Sequence, residues 1–362
     1  MQSPRDHNNS VLECLPVLTA NTVARSGSDV GCVALQLIDR SNQRMVLLGK
    51  SGTGKSSLTN TILGEDTFKI NHSPVPGTSL CQAKSNSVNG RSITLIDTPG
   101  FFGTGRSDEE MRPEIVSCIT ECAPGPHAFL IVLKMQKFTE QERAIIAKIC
   151  QSFSEDALNY SVIVFTHGDQ LPEGMEVKDF IGQNKNLSDL VKKCGGRCHV
   201  FDNKYWKSVE KDSYRSNQFQ VEELLKTVDK MIEVNEGSYY TNDTLKEVRR
   251  EIQRGEERIR QTSTNMSHEE IQQKAKFDIF NWLLIRSAGV ATGALLGALL
   301  GATSLVLEGK AGAMSDVLCG MGKGALRGYD AAEGAKSPGE AVQRTMDAVR
   351  KDIGVPGITN NK

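Results

Sequence analysis

Eight consecutive residues constrain this chain more than any others. Gly49-Lys50-Ser51-Gly52-Thr53-Gly54-Lys55-Ser56 fits the pattern G-x-x-x-x-G-K-[ST], and it lies between the apolar run Met45-Val46-Leu47-Leu48 and a segment, Ser56–Leu63, with helix-forming spacing. In that order, strand, loop and helix make a turn whose glycines let successive N–H groups curl around phosphate oxygens, with the positive end of the helix behind them. Gly49, Ser51, Gly52, Thr53, Gly54, Lys55, Ser56 and Ser57 are therefore the predicted phosphate-binding residues. Lys55 is placed to reach the β and γ phosphates of a nucleotide. The Ser56 hydroxyl is a hard oxygen ligand of the kind Mg²⁺ requires.

Further short β-rich runs follow at Ser92–Ile96, Ala128–Leu133, Tyr160–Phe165 and, more weakly, His199–Phe201. Helical patterns separate them at Glu109–Cys122, Thr139–Phe153 and Asp179–Lys193, and a polar helix at Val221–Val234 closes the unit near residue 240. Strands and helices in alternation predict an α/β fold with a mostly parallel sheet, its ligands at the carboxyl ends of the strands. Lys and Arg number 43 against 44 Asp and Glu, a formal charge of −1, which argues against a nucleic-acid partner held by a broad basic field. Nine cysteines with no apolar stretch near Met1 read as reduced cytosolic thiols. The x3-spaced pairs Cys118/Cys122 and Cys194/Cys198 read as a helix face and a loop pair, rather than as a zinc site.

Three further segments carry chemistry in an order that matches the phosphate loop. Asp97-Thr98-Pro99-Gly100 directly follows the strand ending at Ile96, so Asp97 is predicted near Mg²⁺ and the Gly100 N–H near a γ-phosphate. The loop Asn71–Ser79 sits where a first phosphate-sensing switch belongs, with Thr78 the chosen Mg²⁺-binding hydroxyl and Ser73 and Ser79 its rivals. Thr166-His167-Gly168-Asp169 follows the next strand but one. The Asp169 carboxylate can accept two hydrogens from the N1 and N2 side of guanine but faces the wrong groups on adenine, and His167 can lay its ring along the base. A P-loop ATPase is disfavoured on this ground.

Taken together, the Thr-His-Gly-Asp motif, the stretch Cys122-Ala123-Pro124-Gly125-Pro126-His127-Ala128 and the run Cys194–Lys204 resemble the immunity-associated (GIMAP) family of GTPases, related to septin- and Toc-like GTPases, over roughly Arg44 to Asn242. The resemblance implies a Ras-like P-loop GTPase domain that binds GTP or GDP with Mg²⁺, a homo-oligomer formed through the switch face, and a role in immunity at an intracellular membrane. It also implies that Asn203 is the last base-contacting residue. Two departures bear on turnover. Phe101 and Phe102 follow Gly100, so no water-orienting Gln stands there, and Gln136-Lys137-Phe138-Thr139 carries Lys137 where family members often carry an Arg able to reach a partner's nucleotide. Lys137 keeps the charge but lacks the planar fork. With Lys55, Thr78 and Gly100 it completes the predicted catalytic set. The alternative is a nucleotide-gated scaffold with negligible hydrolysis.

The predicted organisation is a leader of uncertain structure at 1–43, a G domain at 44–240, a charged helical linker at 241–286 with Gly255 as a break, a membrane helix at 287–307, and a Gly/Ala-rich then polar tail at 308–362. The 21 residues Ser287–Leu307 carry no charge and, as a helix, span roughly 30 Å, about one hydrocarbon core. Gly289, Gly293, Gly297 and Gly301 recur every four residues, the small-xxx-small stripe of close membrane helices. This would hold the G domain at the cytosolic face of the membrane. The competing reading is a helix packed on the G domain or on another protomer.

Overall fold

The computed structural model describes residues 42–66, 81–102, 107–136, 139–206, 213–263, 265–287 and 292–301. The leader 1–41, the loop holding Thr78, Lys137 and the tail after residue 301 lie outside them. Six strands, β1 (Asn42–Leu48), β2 (Gln82–Val88), β3 (Arg91–Asp97), β4 (Ala128–Lys134), β5 (Ser161–Thr166) and β6 (Cys198–Val200), form one sheet in the order β2-β3-β1-β4-β5-β6. All pairs are parallel except β2 with β3. β2 is the strand that hydropathy missed. Its sequence, QAKSNSV, is largely exposed and lacks apolar alternation, as suits a polar edge strand.

The near-continuous apolar runs of β1, β3, β4 and β5 arise because both faces are covered. Met45 and Leu47 pack with α1 (Lys55–Leu63) and, later in the chain, α7 (Asn217–Val234); Val46 and Leu48 pack on the other face with α2 (Asp108–Cys122) and α3 (Glu140–Ser152). A short α4 (Glu155–Asn159) leads into β5. The single helix expected over 179–193 is two, α5 (Val177–Gly182) and α6 (Lys185–Lys193), because Gly182 ends one and the Asn184 side chain accepts the Leu187 N–H to start the next.

Beyond the sheet, α8 (Asp243–Thr262) and α9 (His268–Arg286) form an antiparallel pair on α2. Gly255 does not break α8. It faces Ala275 of α9, whose Cβ would lie 3.4 Å from a Cβ built there. A Lys276–Glu121 ion pair of 2.8 Å ties α9 to α2. The Pro124–His127 segment anchors the entry to this extension. Pro126 O accepts the Tyr240 N–H at 2.9 Å, Pro124 O accepts the Thr241 hydroxyl at 2.9 Å, and His127 Nδ1 accepts the Arg44 N–H at 3.0 Å. A Cβ at Gly125 would fall on the Tyr240 carbonyl.

Of the run 287–307 expected as a membrane helix, Ser287 and residues 292–301 are described and the rest lies outside the described residues. Ser287 caps α9, and α10 (Thr292–Leu300) is nine residues long, with Ala294 through Leu300 all buried against α2 and α3. Its end is tied down: Leu300 O accepts the Ser154 N–H at 2.9 Å, and Asn242 Nδ2 donates to Ala298 O at 3.0 Å. Among the described residues, no helix is long and apolar enough to cross a membrane. Hydropathy alone cannot tell a protein core from lipid, since both reward the same side chains. The stripe members Gly293, Gly297 and Gly301 lie on or beside this packed helix. Replacing Leu299, fully buried, by Ala should cost about 2–5 kcal/mol of stability in chemical denaturation of the full chain; a cost under about 0.5 kcal/mol would contradict this packing.

Candidate functional site

The site follows from one strand pairing. β1 and β3 run parallel with Leu47 opposite Asp97, so the loop after β1 and the Asp97–Gly100 turn leave the sheet side by side. Gly52 and Gly54 take φ of +78° and +82°, a region that L side chains rarely adopt. At Gly49 a Cβ would come within 2.5 Å of Val132 O, and at Gly100 it would fall on the Ser51 backbone, so the two loops touch where a side chain has no room. Ser51 and Gly52 are exposed at the loop's crest. Ser57 is half-buried on α1, its carbonyl accepting the Thr61 hydroxyl at 3.0 Å.

Lys55 is 6% exposed, and its Nζ donates to Gly49 O at 3.2 Å and Lys50 O at 3.1 Å, which holds the ammonium beneath the loop. Burial lowers its pKa from 10.5 to about 8, against the opposing pull of the Asp97 carboxylate. Ser56 Oγ donates to Asp97 Oδ2 at 2.5 Å. Asp97 is 1% exposed, its pKa is raised by burial, and its Oδ1 has no hydrogen-bond partner among the described residues. An orphaned carboxylate oxygen beside a serine hydroxyl offers Mg²⁺ the hard donors it prefers, so these residues fit the ion. Among the described residues no three His, Cys, Asp or Glu side chains cluster as a metal cage, so such an ion would be completed by phosphate and water. Thr98 Oγ1 donates to Leu47 O at 2.6 Å, pinning the turn to β1. Phe101 and Phe102 are buried in the core.

The base end is joined to the phosphate end. Thr166 is buried and its Oγ1 donates to Thr53 O at 2.7 Å, while Asn203 Nδ2 reaches Gly54 O at 3.5 Å and Asn203 Oδ1 accepts from Thr61 Oγ1 at 3.0 Å. His167 adopts φ +60°, with Nδ1 3.0 Å from Thr166 Oγ1, and burial lowers its pKa, helped by Lys134. Asp169 presents an exposed carboxylate, held at 2.5 Å by the Gln170 side-chain amide. Thus Gly49–Ser57, Asp97, Gly100, Thr166, His167, Asp169 and Asn203 are gathered at one edge of the sheet. Two residues there escaped the sequence reading. Asp202, 2% exposed, accepts the N–H groups of Asp169 at 3.2 Å and Lys204 at 2.9 Å. Although burial pushes the other way, these amides and that of Tyr205 hold its carboxyl below the usual range. Trp206 packs under Gly168. Asp202 stands next to Asn203 and was open to notice; nothing local marked Trp206.

Beside the phosphate loop opens a cavity of about 240 Å³, floored by Ile145, Ile146 and Leu187. It shares Lys50–Thr53 with the loop but includes none of Lys55, Ser56, Asp97 or Asp169, so it is a neighbour of the phosphate site. Cys118 and Cys122, with Sγ atoms 3.6 Å apart, form one buried face of α2, and burial pushes Cys194 up to about 12.

A parallel sheet with a glycine-rich loop, buried lysine and serine–aspartate pair at its carboxyl edge defines a P-loop nucleotide-binding protein. Residues 43–260 match the AIG1 family, and the chain belongs to that family. It is 35% identical over 207 residues to human GTPase IMAP family member 8, covering 57% of this chain and 30% of that protein. To Immune-associated nucleotide-binding protein 8 of Arabidopsis thaliana it is 33% identical over 219 residues, covering 59% and 60% respectively. The match therefore spans less than two thirds of either relative. Among solved structures, Toc33 from Arabidopsis thaliana in complex with GDP and Mg²⁺ is similar at a TM-score of 0.44 and 19% identity, over 58% of this chain and 92% of that one.

The lowered Lys55 pKa sets a pH dependence with a definite sign. A phosphate held by Lys55 would require the charged ammonium, which the fold holds below about 8. Affinity for a nucleoside triphosphate should be level below pH 7.5 and fall as pH rises above about 8, with proton uptake on binding. Titration calorimetry in buffers of different ionisation enthalpy reads that uptake, and Lys55→Arg, charged throughout, should abolish it. A level affinity to pH 9.5 would contradict the burial argument.

Proposed function

We propose that this chain is a guanine-nucleotide switch with slow intrinsic GTP hydrolysis. The observation that supports it best is the Thr166–Thr53 hydrogen bond, which sets a guanine-reading carboxylate, Asp169, at a fixed offset from the phosphate loop. The Gly49–Ser57 amides and Lys55 would hold the β and γ phosphates, Ser56 and Asp97 would hold Mg²⁺, and Asn203 would close over the base. Mg²⁺, when bound, neutralises phosphate charge. Gly100, which has no room for a Cβ beside Ser51, carries the N–H that a γ-phosphate would draw in and hydrolysis would release. Thr78 is assigned the matching hydroxyl on the first switch. The switch face is the surface assigned to a second protomer, and the cytosol, where GTP is available, is the compartment.

Slow turnover follows from Phe101 and Phe102. Both side chains are committed to the core, so neither can orient water, and the scaffold reading with negligible hydrolysis rests on the same fact. Single-turnover hydrolysis separates the two. Replacing Asp169 by Asn should weaken GTP at least tenfold and improve xanthosine triphosphate, because the amide inverts half of the hydrogen-bond pattern. Unchanged GTP affinity would remove the base assignment. Lys55→Ala and Ser56→Asn should each impair Mg²⁺–GTP binding in titration calorimetry, and normal binding in both would remove the phosphate assignment. If Lys137 acts across a dimer, Lys137→Arg should raise the hydrolysis rate only at protein concentrations that support dimers, because guanidinium can bridge two phosphate oxygens. An equal rise in dilute monomer would refute that role.

A further inference from the structure

Trp206 is one of two tryptophans in the chain, three residues past Asn203. It is 6% exposed, and its ring lies directly beneath the glycine of Thr166-His167-Gly168-Asp169: a Cβ built at Gly168 would come within 2.7 Å of Cη2 and 2.9 Å of Cζ2. The reason for glycine at this position is steric rather than conformational. The left-handed residue of the loop is His167, at φ +60°, whereas Gly168 is absent from the residues of positive φ. Any side chain at 168 would instead have to displace a buried indole.

The same loop is fixed from its other sides by the main chain. The Gly168 N–H donates to Phe201 O at 2.9 Å, the Leu171 N–H donates to Gly168 O at 3.0 Å, and the Asp169 N–H donates to Asp202 Oδ2 at 3.2 Å. Hydrogen bonds fix where the Asp169 backbone sits along the sheet edge; the ring fixes its height. A carboxylate that must meet the N1–H and an N2–H of guanine at once tolerates little error in that height, and an indole with two rotatable bonds is a stiff floor.

We propose that Trp206 is a positioning residue for base selection: its ring, packed under Gly168, sets the height of Asp169 and thereby the preference for guanine over adenine. The inference rests on reading Asp169 as the base-reading group. The test is a double-mutant cycle on the full chain, with dissociation constants for Mg²⁺–GTP and Mg²⁺–ATP and the thermal midpoint measured for each variant. Gly168→Ala should weaken GTP at least tenfold and leave ATP within twofold, and Trp206→Leu should lower the GTP-over-ATP ratio in the same way. With the ring gone the added methyl has room, so Gly168→Ala should cost less than a further twofold in the Trp206→Leu background. Where Trp206→Leu does not fold, Trp206→Phe, which vacates the Cη2 and Cζ2 positions, carries the same cycle. An equal Gly168→Ala penalty in both backgrounds, or a GTP-over-ATP ratio unmoved by either single variant, would overturn the inference. Asp169→Asn keeps the two claims apart. If it shifts preference to xanthosine triphosphate while the cycle is additive, the role of Trp206 alone fails; if it shifts nothing, the base reading fails and this inference with it.

Discussion

The pairing of β1 with β3, Leu47 against Asp97, is what the rest of the site depends on. Because the strands are parallel, both chains leave the sheet at the same edge, and because the register is set there, Ser56 Oγ meets Asp97 Oδ2 at 2.5 Å. A shift of one residue would turn Asp97 to the other face of β3 and put Ile96 or Thr98 in its place. Two contacts lock the arrangement. Thr98 Oγ1 reaches back to Leu47 O, and Gly100 lies against Ser51 with no space for a Cβ. The phosphate loop and the Asp97–Gly100 turn therefore behave as one object, and a ligand that moves the second must work against the first.

Packing carries this pairing outward. The alternating residues of β1 feed two cores, one under α1 and α7, the other under α2, α3 and the extension. The second core contains Phe101 and Phe102, directly after Gly100, and also Leu295, Leu296, Leu299 and Leu300 of α10. At about 1.5–3 kcal/mol for each fully buried leucine, these four side chains contribute enough that α10 belongs to the domain and is not an appendage to it. The opposite edge of the sheet is held separately by Pro124–His127, which clamps the β1 entry and the turn into α8. One end of the sheet thus presents chemistry, and the other holds the extension in place.

How much of this was legible depended on how local each signal is. The phosphate loop, Asp97–Gly100 and Thr166–Asp169 each sit within a few residues of the strand that positions them, so spacing alone placed Lys55, Ser56, Asp97 and Asp169 at one edge. β2 was invisible because an edge strand with polar side chains has no alternation to detect. Within the run 287–307, the apolar side chains of 292–300 pack on α2 and α3, elements far away in the chain that hydropathy does not reveal. Gly255 looked like a helix breaker, yet α8 runs through it and it faces Ala275 in another helix. Asp202 accepts main-chain N–H groups and Trp206 lays its ring under Gly168, contacts that no motif records.

We propose that this edge of the sheet selects guanine nucleotides. The most direct measurement is competition of unlabelled GTP and ATP for the same fluorescent GDP analogue bound to the purified full chain with Mg²⁺. GTP is expected to displace the analogue at concentrations at least a hundredfold below those needed for ATP, since a carboxylate that pairs with guanine is unmatched on adenine. Equal displacement by the two nucleotides, or none by either, would contradict the proposal.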